Sequence, residues 1–154
     1  MIHGPDADRF LIEGDEEQIA QLVRTAKRVA VLGMKTEAHA GQPAFFVPQY
    51  LAQAGIDVIP VPVYFPEIHS ILGRPIYRTI AEIPGPTLDI VDVFRRPKDI
   101  PGHVEDLLAA RPRAVWFQSG IRHDEAARRL AEAGILVVQD RCLMVDHRRY
   151  ARAS

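Results

Sequence analysis

Residues 29–33 read Val29-Ala30-Val31-Leu32-Gly33, a continuous apolar run that stops on a glycine. A strand that alternates apolar and polar residues has one face in water, whereas an unbroken run of this kind suits a strand buried on both faces of a parallel sheet. The same signature recurs along the chain. Val58-Ile59-Pro60-Val61-Pro62 reads as a second strand, and its prolines fit a strand end or a lightly paired segment better than the centre of a sheet. Residues 88–93 read as a third strand, interrupted by Asp89 and Asp92; residues 114–117 as a fourth; and residues 135–138 as the last.

Helical spacing fills the intervals. Residues 15–26 carry Ile19, Leu22 and Val23 on one face, with Glu16 and Glu17 where the positive end of a helix dipole favours acids. Residues 44–54 carry Phe46, Val47, Tyr50, Leu51 and Ala54; Pro43 suits an early helical position and Gly55 ends the element. Pro48, lacking an N–H, is expected to bend or weaken the start of this helix. Residues 97–110 and 124–133 supply two more helices, the second stopped by Gly134. The connection 63–86 is expected to hold a short extended piece at residues 75–77 and one helical turn at residues 80–83, and the polar tail 146–154 to be loosely ordered. Strands alternating with helices imply crossovers and a mostly parallel sheet. The expectation is α/β, a Rossmann-like three-layer sandwich forming one domain over residues 1–154, with its core at about 26–147.

Composition narrows the function classes. Hydrophobic residues make up 47% and charged residues 25%, and the formal net charge of -1 gives no general attraction for nucleic acid. No run reaches the length of a bilayer span, and MIHGPDADRF lacks the basic start and apolar stretch of a secretory signal, so a cytoplasmic location is expected. One cysteine, Cys142, excludes an internal disulfide. The six histidines show no HxxxH spacing, so no metal site is expected, and His69, His103 and His147 have no evident partner.

The chemically unusual residues fall just after the apolar runs, at Gly33, Pro62, Arg95, Gln118 and Asp140. The carboxyl ends of the strands of an open parallel sheet form the crevice where ligands bind. The loop Gly33-Met34-Lys35-Thr36 through Gly41-Gln42-Pro43 could cradle phosphate at a helix N-terminus, or be an ordinary surface turn, for it matches neither GxGxxG nor a P-loop. The second strand ends Val61-Pro62-Val63-Tyr64, without the acid that holds the ribose of NAD. Phe94 could face a base and Arg95 bind a phosphate bidentately; equally, Phe94 could cap the core while the arginines pair with Asp92 or Asp99. Gln118-Ser119-Gly120 reads as a hydrogen-bonding turn rather than a catalytic serine, and Asp140-Arg141 as a structural ion pair.

GQPAFFVPQYL (41–51), VIPVPVYFPEIHSILGRPIY (58–77), IVDVFRRPKDIPGHV (90–104) and VWFQSGIRHDEAARRLAEAGILVVQDRCLMVDH (115–147) together resemble the small stand-alone CoA-binding proteins. These share the CoA-binding domain found at the N-terminus of the succinyl-CoA synthetase α subunit. The resemblance implies coenzyme A, free or acylated, lying across the carboxyl edge of the sheet. Its phosphates would sit near Gly33, Met34, Lys35, Thr36, Gln42 and Pro43, and its nucleotide portion near Pro62 and Tyr64. Phe94 and Arg95 would line the centre, with Gln118, Ser119 and Gly120 along the pantetheine. Three positions depart from the pattern: Pro62-Val63-Tyr64 stands where relatives often have Asn-Pro-Lys, Ala44 where many have serine, and Ser119 where the synthetase has glutamate. The catalytic parts of the synthetase lie outside this domain, so the expected role is a non-catalytic carrier, sensor or partner module, with a protein partner or homo-oligomer as further expectations. Two other readings stand beside it: an NAD(P)-binding oxidoreductase or partner-dependent enzyme subunit, and an interaction module that has lost its ligand.

Overall fold

The computed structural model describes residues 5–151. Six strands form one sheet: β1 (Leu11–Ile12), β2 (Arg28–Leu32), β3 (Asp57–Val61), β6 (Ile90–Val93), β7 (Ala114–Phe117) and β8 (Leu136–Val138). Their order is β1-β8-β7-β6-β2-β3, and every pairing is parallel. A two-stranded antiparallel hairpin, β4 (Ser70–Ile71) with β5 (Arg74–Pro75), stands apart from it.

Two helical layers cover the sheet because its strands present apolar side chains on both faces. Val29, Val31, Val58, Ile90 and Trp116 point to one face, where they meet Ile19, Leu22 and Val23 of α2 (Glu16–Thr25), Phe45, Val47 and Leu51 of α3 (Pro43–Gln53), and Leu143 of α6 (Leu143–Tyr150). Ala30, Leu32, Val91, Val93, Val115 and Phe117 point to the other, against Val104 and Leu107 of α4 (Val104–Ala110) and Ala127 and Leu130 of α5 (Asp124–Glu132). Each large aliphatic side chain buried this way stabilises the fold by about 1.5–3 kcal/mol relative to leaving it in water. The result is the expected Rossmann-like three-layer α/β sandwich.

The local expectations hold where a strong cap or a long period announces them. Asp15 accepts from Gln18 N at 3.2 Å and starts α2, and the bond from the Gln18 side chain at 2.7 Å, with this backbone bond, depresses the Asp15 pKa. Pro60 and Pro62 belong to or follow β3, an edge strand paired only with β2, where a missing N–H costs little. The helix expected over 97–110 opens instead as a 3-10 segment, Pro97–His103, and becomes α-helical only after Pro101, whose missing N–H interrupts the α ladder. The third strand begins at Ile90 rather than Leu88, since the Asp89 side chain turns back to the backbone before β2. In the long connection, the extended structure lies earlier than expected, in the β4–β5 hairpin with Leu72 and Gly73 at positive φ, which shares only Pro75 with the expected 75–77, and residues 80–83 form a turn closed by Ile83 N to Ile80 O.

Two corrections concern the ends. Residues 146–150, expected to be loose, belong to α6; residues 152–154 lie outside the described residues. Arg141 holds α6 against α2 by donating to both carboxylate oxygens of Asp146 at 2.8 Å and to Glu16 at 2.9 and 3.0 Å. The Tyr150 hydroxyl also donates to Glu16. These bonds pull the Glu16 pKa down to about 2. The expected Asp140–Arg141 pair therefore does not form. At the start, α1 (Pro5–Asp8) and β1 were not anticipated; β1 is too short to show a period, and it pairs with β8 at the far edge.

Candidate functional site

Chain direction reverses between β2 and β6. The chain leaves β2 through α3 to β3 on one side, then crosses back to place β6 on the other, so the loops after β2 and β6 diverge and leave a crevice at the crest of the sheet. Gly33 makes the close approach there: it has φ +87°, and a Cβ on it would lie 2.5 Å from the Phe94 carbonyl oxygen and 3.1 Å from Arg95 Cδ. Only glycine lets the two crest loops meet.

A cleft of about 660 Å³ opens at this point. Gln42, Pro43, Phe94, Arg95, Gln118, Ser119 and Gly120 line it as the sequence placed them, joined by Ala44, Phe46 and Val47 of α3, Arg96 and Pro97 after β6, and Ile121, Cys142 and Met144 near the β8 end. Phe46 and Val47 had been read only as packing residues; their place one turn after Pro43 was the available signal that they face the crest as well as the core. Met144 escaped because α6 itself was not foreseen.

The other sequence-selected residues shape the rim without lining the cleft. Met34 is 1% exposed and its side chain belongs to the core. Lys35 Nζ donates to Gln42 Oε1 at 2.6 Å, while Lys35 N donates to Ala44 O at 3.1 Å, which docks the loop on the start of α3. Thr36 caps the 3-10 turn Glu37–His39. Pro62 is buried after β3, and Tyr64 stands 54% exposed beyond it.

Open donors converge on the cleft. At the start of α3, Pro43 has no N–H, and Phe45 N and Phe46 N both donate to Gln42 O, so Ala44 N has no partner among the described residues. An unpaired amide at the positive end of an 11-residue helix is suited to an anion. Arg95 lines the same cleft. Its Nε donates to His103 Nε2 at 3.1 Å, Nη1 reaches the Tyr64 hydroxyl at 3.4 Å, Nη2 lies 3.6 Å from Asp99, and the guanidinium stacks 5.4 Å from the Tyr64 ring centroid. The two Nη contacts are long, so a ligand anion can replace them without breaking a strong pair. Burial, then the charge of Arg95, lowers the His103 pKa, which keeps Nε2 as an acceptor. The Arg95 bond likewise lowers the Tyr64 pKa. His103 and His147 thus both have partners, the second through Tyr50 OH at 2.9 Å.

Of the two acids offered as partners for the arginines, Asp99 takes the role, at 2.8 Å from Arg96. Asp92 does not: it is 0% exposed and neither carboxylate oxygen has a partner among the described residues. Strand register sets it between Val31 and Trp116, on the face covered by α2, α3 and α6, and burial raises its pKa well above the usual aspartate range.

Beyond β7 the polar groups are already committed. Gln118 is 3% exposed and its Oε1 accepts from Leu143 N at 2.9 Å, capping α6. Gly120 N donates to Asp140 Oδ1 at 2.6 Å, and Asp140 N donates to Ile121 O at 3.1 Å. His123 Nδ1 accepts from Ala126 N at 3.1 Å as the cap of α5, so that nitrogen is not available as a base to Ser119.

An open parallel sheet with an apolar-walled cleft at its topological switch point, rimmed by a guanidinium and a free helix N-terminal amide, defines an α/β nucleotide-type binding domain. Residues 27–148 match the model of the CoA binding domain, and the chain belongs to that family. It is similar to the Bacillus subtilis protein YneT, itself uncharacterized, with 34% identity over 84% of this chain and 92% of that one. Among solved structures, cell-free ID.343 from Thermus thermophilus superposes with a TM-score of 0.79 and 40% identity, covering 88% of this chain and 98% of its own. The dinucleotide-forming acetyl-coenzyme A synthetase 1 of Ca. Korarchaeum cryptofilum shares the fold at 16% identity and a TM-score of 0.60, over 77% of this chain and 27% of that one.

Proposed function

We propose that this chain binds coenzyme A, free or acylated, in the crest cleft and carries out no covalent chemistry of its own, serving as a carrier, sensor or partner module. The observation that carries the reading is the cleft at the β2–β6 switch point, in a chain whose residues 27–148 match the CoA binding domain. Its volume of about 660 Å³ suits a cofactor-sized ligand. The Ala44 N–H and Arg95 supply donors for the diphosphate and the remaining phosphate, and Phe46, Phe94 and Met144 an apolar wall for the uncharged portion. The non-catalytic role is supported by the commitment of His123 and Gln118 to helix caps rather than to a reacting group.

Calorimetric titration of nucleotide-stripped protein with CoA, dephospho-CoA, acetyl-CoA, NAD and NADP tests the reading. Saturable binding of CoA with NAD silent is expected; silence toward every CoA species would reject it. Arg95→Ala is expected to weaken CoA about tenfold and dephospho-CoA less, and equal losses would remove Arg95 from the 3'-phosphate.

A further inference from the structure

We infer that His103 is a positioning residue for the crest cleft, holding the Arg95 guanidinium by Nε so that its two terminal nitrogens are left for a ligand phosphate, and that this hold is released in acid; the inference rests on the CoA reading above. A guanidinium offers two edges for bidentate binding, Nε with one Nη, and the two Nη together. The Arg95 Nε–H is spent on His103 Nε2 at 3.1 Å, so the terminal pair is the edge that remains. That pair is weakly held, 3.4 Å from the Tyr64 hydroxyl and 3.6 Å from Asp99 Oδ2, and the same Asp99 oxygen serves Arg96 at 2.8 Å. The stem is confined too, since Arg95 Cδ lies 3.1 Å from where a Cβ on Gly33 would stand. An arginine fixed at its stem and Nε before the ligand arrives loses less rotamer freedom on binding than a free one.

His103 and His123 each precede a helix as its N-cap residue, yet they are used differently. His123 caps α5 through Nδ1, whereas the His103 side chain makes no cap bond to α4 and serves Arg95 instead. Arginine Nε always carries its proton, so His103 Nε2 accepts as the bare nitrogen of a neutral ring. A proton there removes the acceptor and sets a second cation against the guanidinium. His103 itself does not line the cleft, and its protonation acts through Arg95. Burial first, and then the charge of Arg95, put the His103 pKa below the ordinary 6.5. Asp99 and Asp106 pull the other way and lose, for Asp99 is paired with Arg96, and Asp106 accepts from Ile80 N at 2.8 Å and Ala81 N at 2.9 Å. Tyr64, from the loop after β3, touches Arg95 at Nη1. The neutral, holding form therefore prevails at neutral pH and is lost as pH falls.

Calorimetric titration with CoA of the wild-type chain, His103→Ala, His103→Gln, and His103→Ala made in the Arg95→Ala background tests the assignment. His103→Ala is expected to weaken CoA about three- to tenfold near pH 7.5, the size of one lost hydrogen bond to a charged group. His103→Gln keeps an acceptor oxygen for Arg95 Nε and is expected to stay within about twofold of wild type. With Arg95 already removed, His103→Ala should cost less than about twofold further, because a residue that acts through Arg95 has nothing left to hold. Between about pH 7.5 and about pH 4.5 the wild-type affinity is expected to fall at least about twofold more than that of His103→Gln, whose side chain does not titrate. Titration of the ligand's own phosphate is common to both chains and drops out of the comparison. Should His103→Ala fail to fold, the two pH profiles decide alone. Parallel profiles, or a loss from His103→Ala that persists without Arg95, overturn the assignment. Silence of the wild-type chain toward CoA at every pH would instead overturn the CoA reading, and this inference with it.

Discussion

The two ends of the sheet treat their polar groups differently. At the amino end, Asp89 accepts from Lys27 N at 2.8 Å and Arg28 N at 2.9 Å, Asp57 N and Asp89 N return bonds to Lys27 O and Arg28 O, and the Arg28 guanidinium reaches Pro84 O at 2.9 Å and Asp57 at 3.6 Å. Those strand starts are closed by their own chain. At the carboxyl end Ala44 N–H is open, the two Nη groups of Arg95 make only long contacts, and Tyr64 stands exposed. The same β2–β6 pair thus begins in a satisfied network and ends in an unsatisfied one, which is how a rigid scaffold comes to present a site at one edge only.

Substitutions can break that contrast. The largest effect is expected at the crest from Gly33→Ala, where the new Cβ meets the Phe94 carbonyl and the backbone is strained. A loss of about 3 kcal/mol or more in urea-induced unfolding, with collapse of ligand binding, is the expected outcome; a neutral result would mean that the β2 and β6 loops separate freely.

Asp92→Asn is expected to act in the opposite direction, stabilising the chain at neutral pH by about 1–3 kcal/mol, since an ionisable group with no partner is removed from the core. An acid whose folded-state pKa is raised keeps its proton after the unfolded chain has lost it, so wild-type stability falls as pH rises from about 4 toward the raised value. The asparagine variant should lose that downward slope. Parallel pH profiles of unfolding free energy in the two proteins would show instead that the Asp92 carboxyl is solvated or paired.

Asp89→Ala tests the closed end. It strips two backbone amides of their acceptor and is expected to cost about 1–2 kcal/mol while leaving CoA affinity within twofold. A large change in affinity would mean that the two ends are coupled. The smallest effect belongs to Glu16→Gln. Glu16 has its pKa drawn down to about 2 by Arg141 and Tyr150, so its contribution is present above its unfolded value near 4.5 and fades as pH falls through about 2. The variant should flatten that acid limb and alter little at neutral pH; an identical acid transition would remove Glu16 from the α2–α6 tie.

What the sequence disclosed divides along the same line. Val29 to Leu32 and Ala114 to Phe117 were legible because strands buried on both faces leave an unbroken apolar run, and α2 and α5 because acids mark their first turns. Gly33, Arg95 and Gln118 could be assigned to the crest because each follows such a run. β1 and α6 were not legible: two residues cannot show a period, and α6 buries Leu143 as its one apolar core residue and is tied to α2 through Arg141 and Glu16, which no local pattern announces. The partner choices of Arg95, Arg141 and Asp92 were likewise invisible, since they depend on which elements the sheet order brings together.

The indole of Trp116 lies in that same region, fully buried between Asp92 and Val138 in the sheet, and its Nε1 donates to Arg141 O at 2.8 Å, in the segment joining Asp140 to Cys142. It is the one tryptophan in the sequence. The chain therefore carries a single native fluorophore whose emission colour reports the dryness of the core and whose hydrogen bond is anchored to the wall of the cleft. The CoA binding proposed for the cleft is expected to shift that emission, a change that can be followed by light with no dye attached.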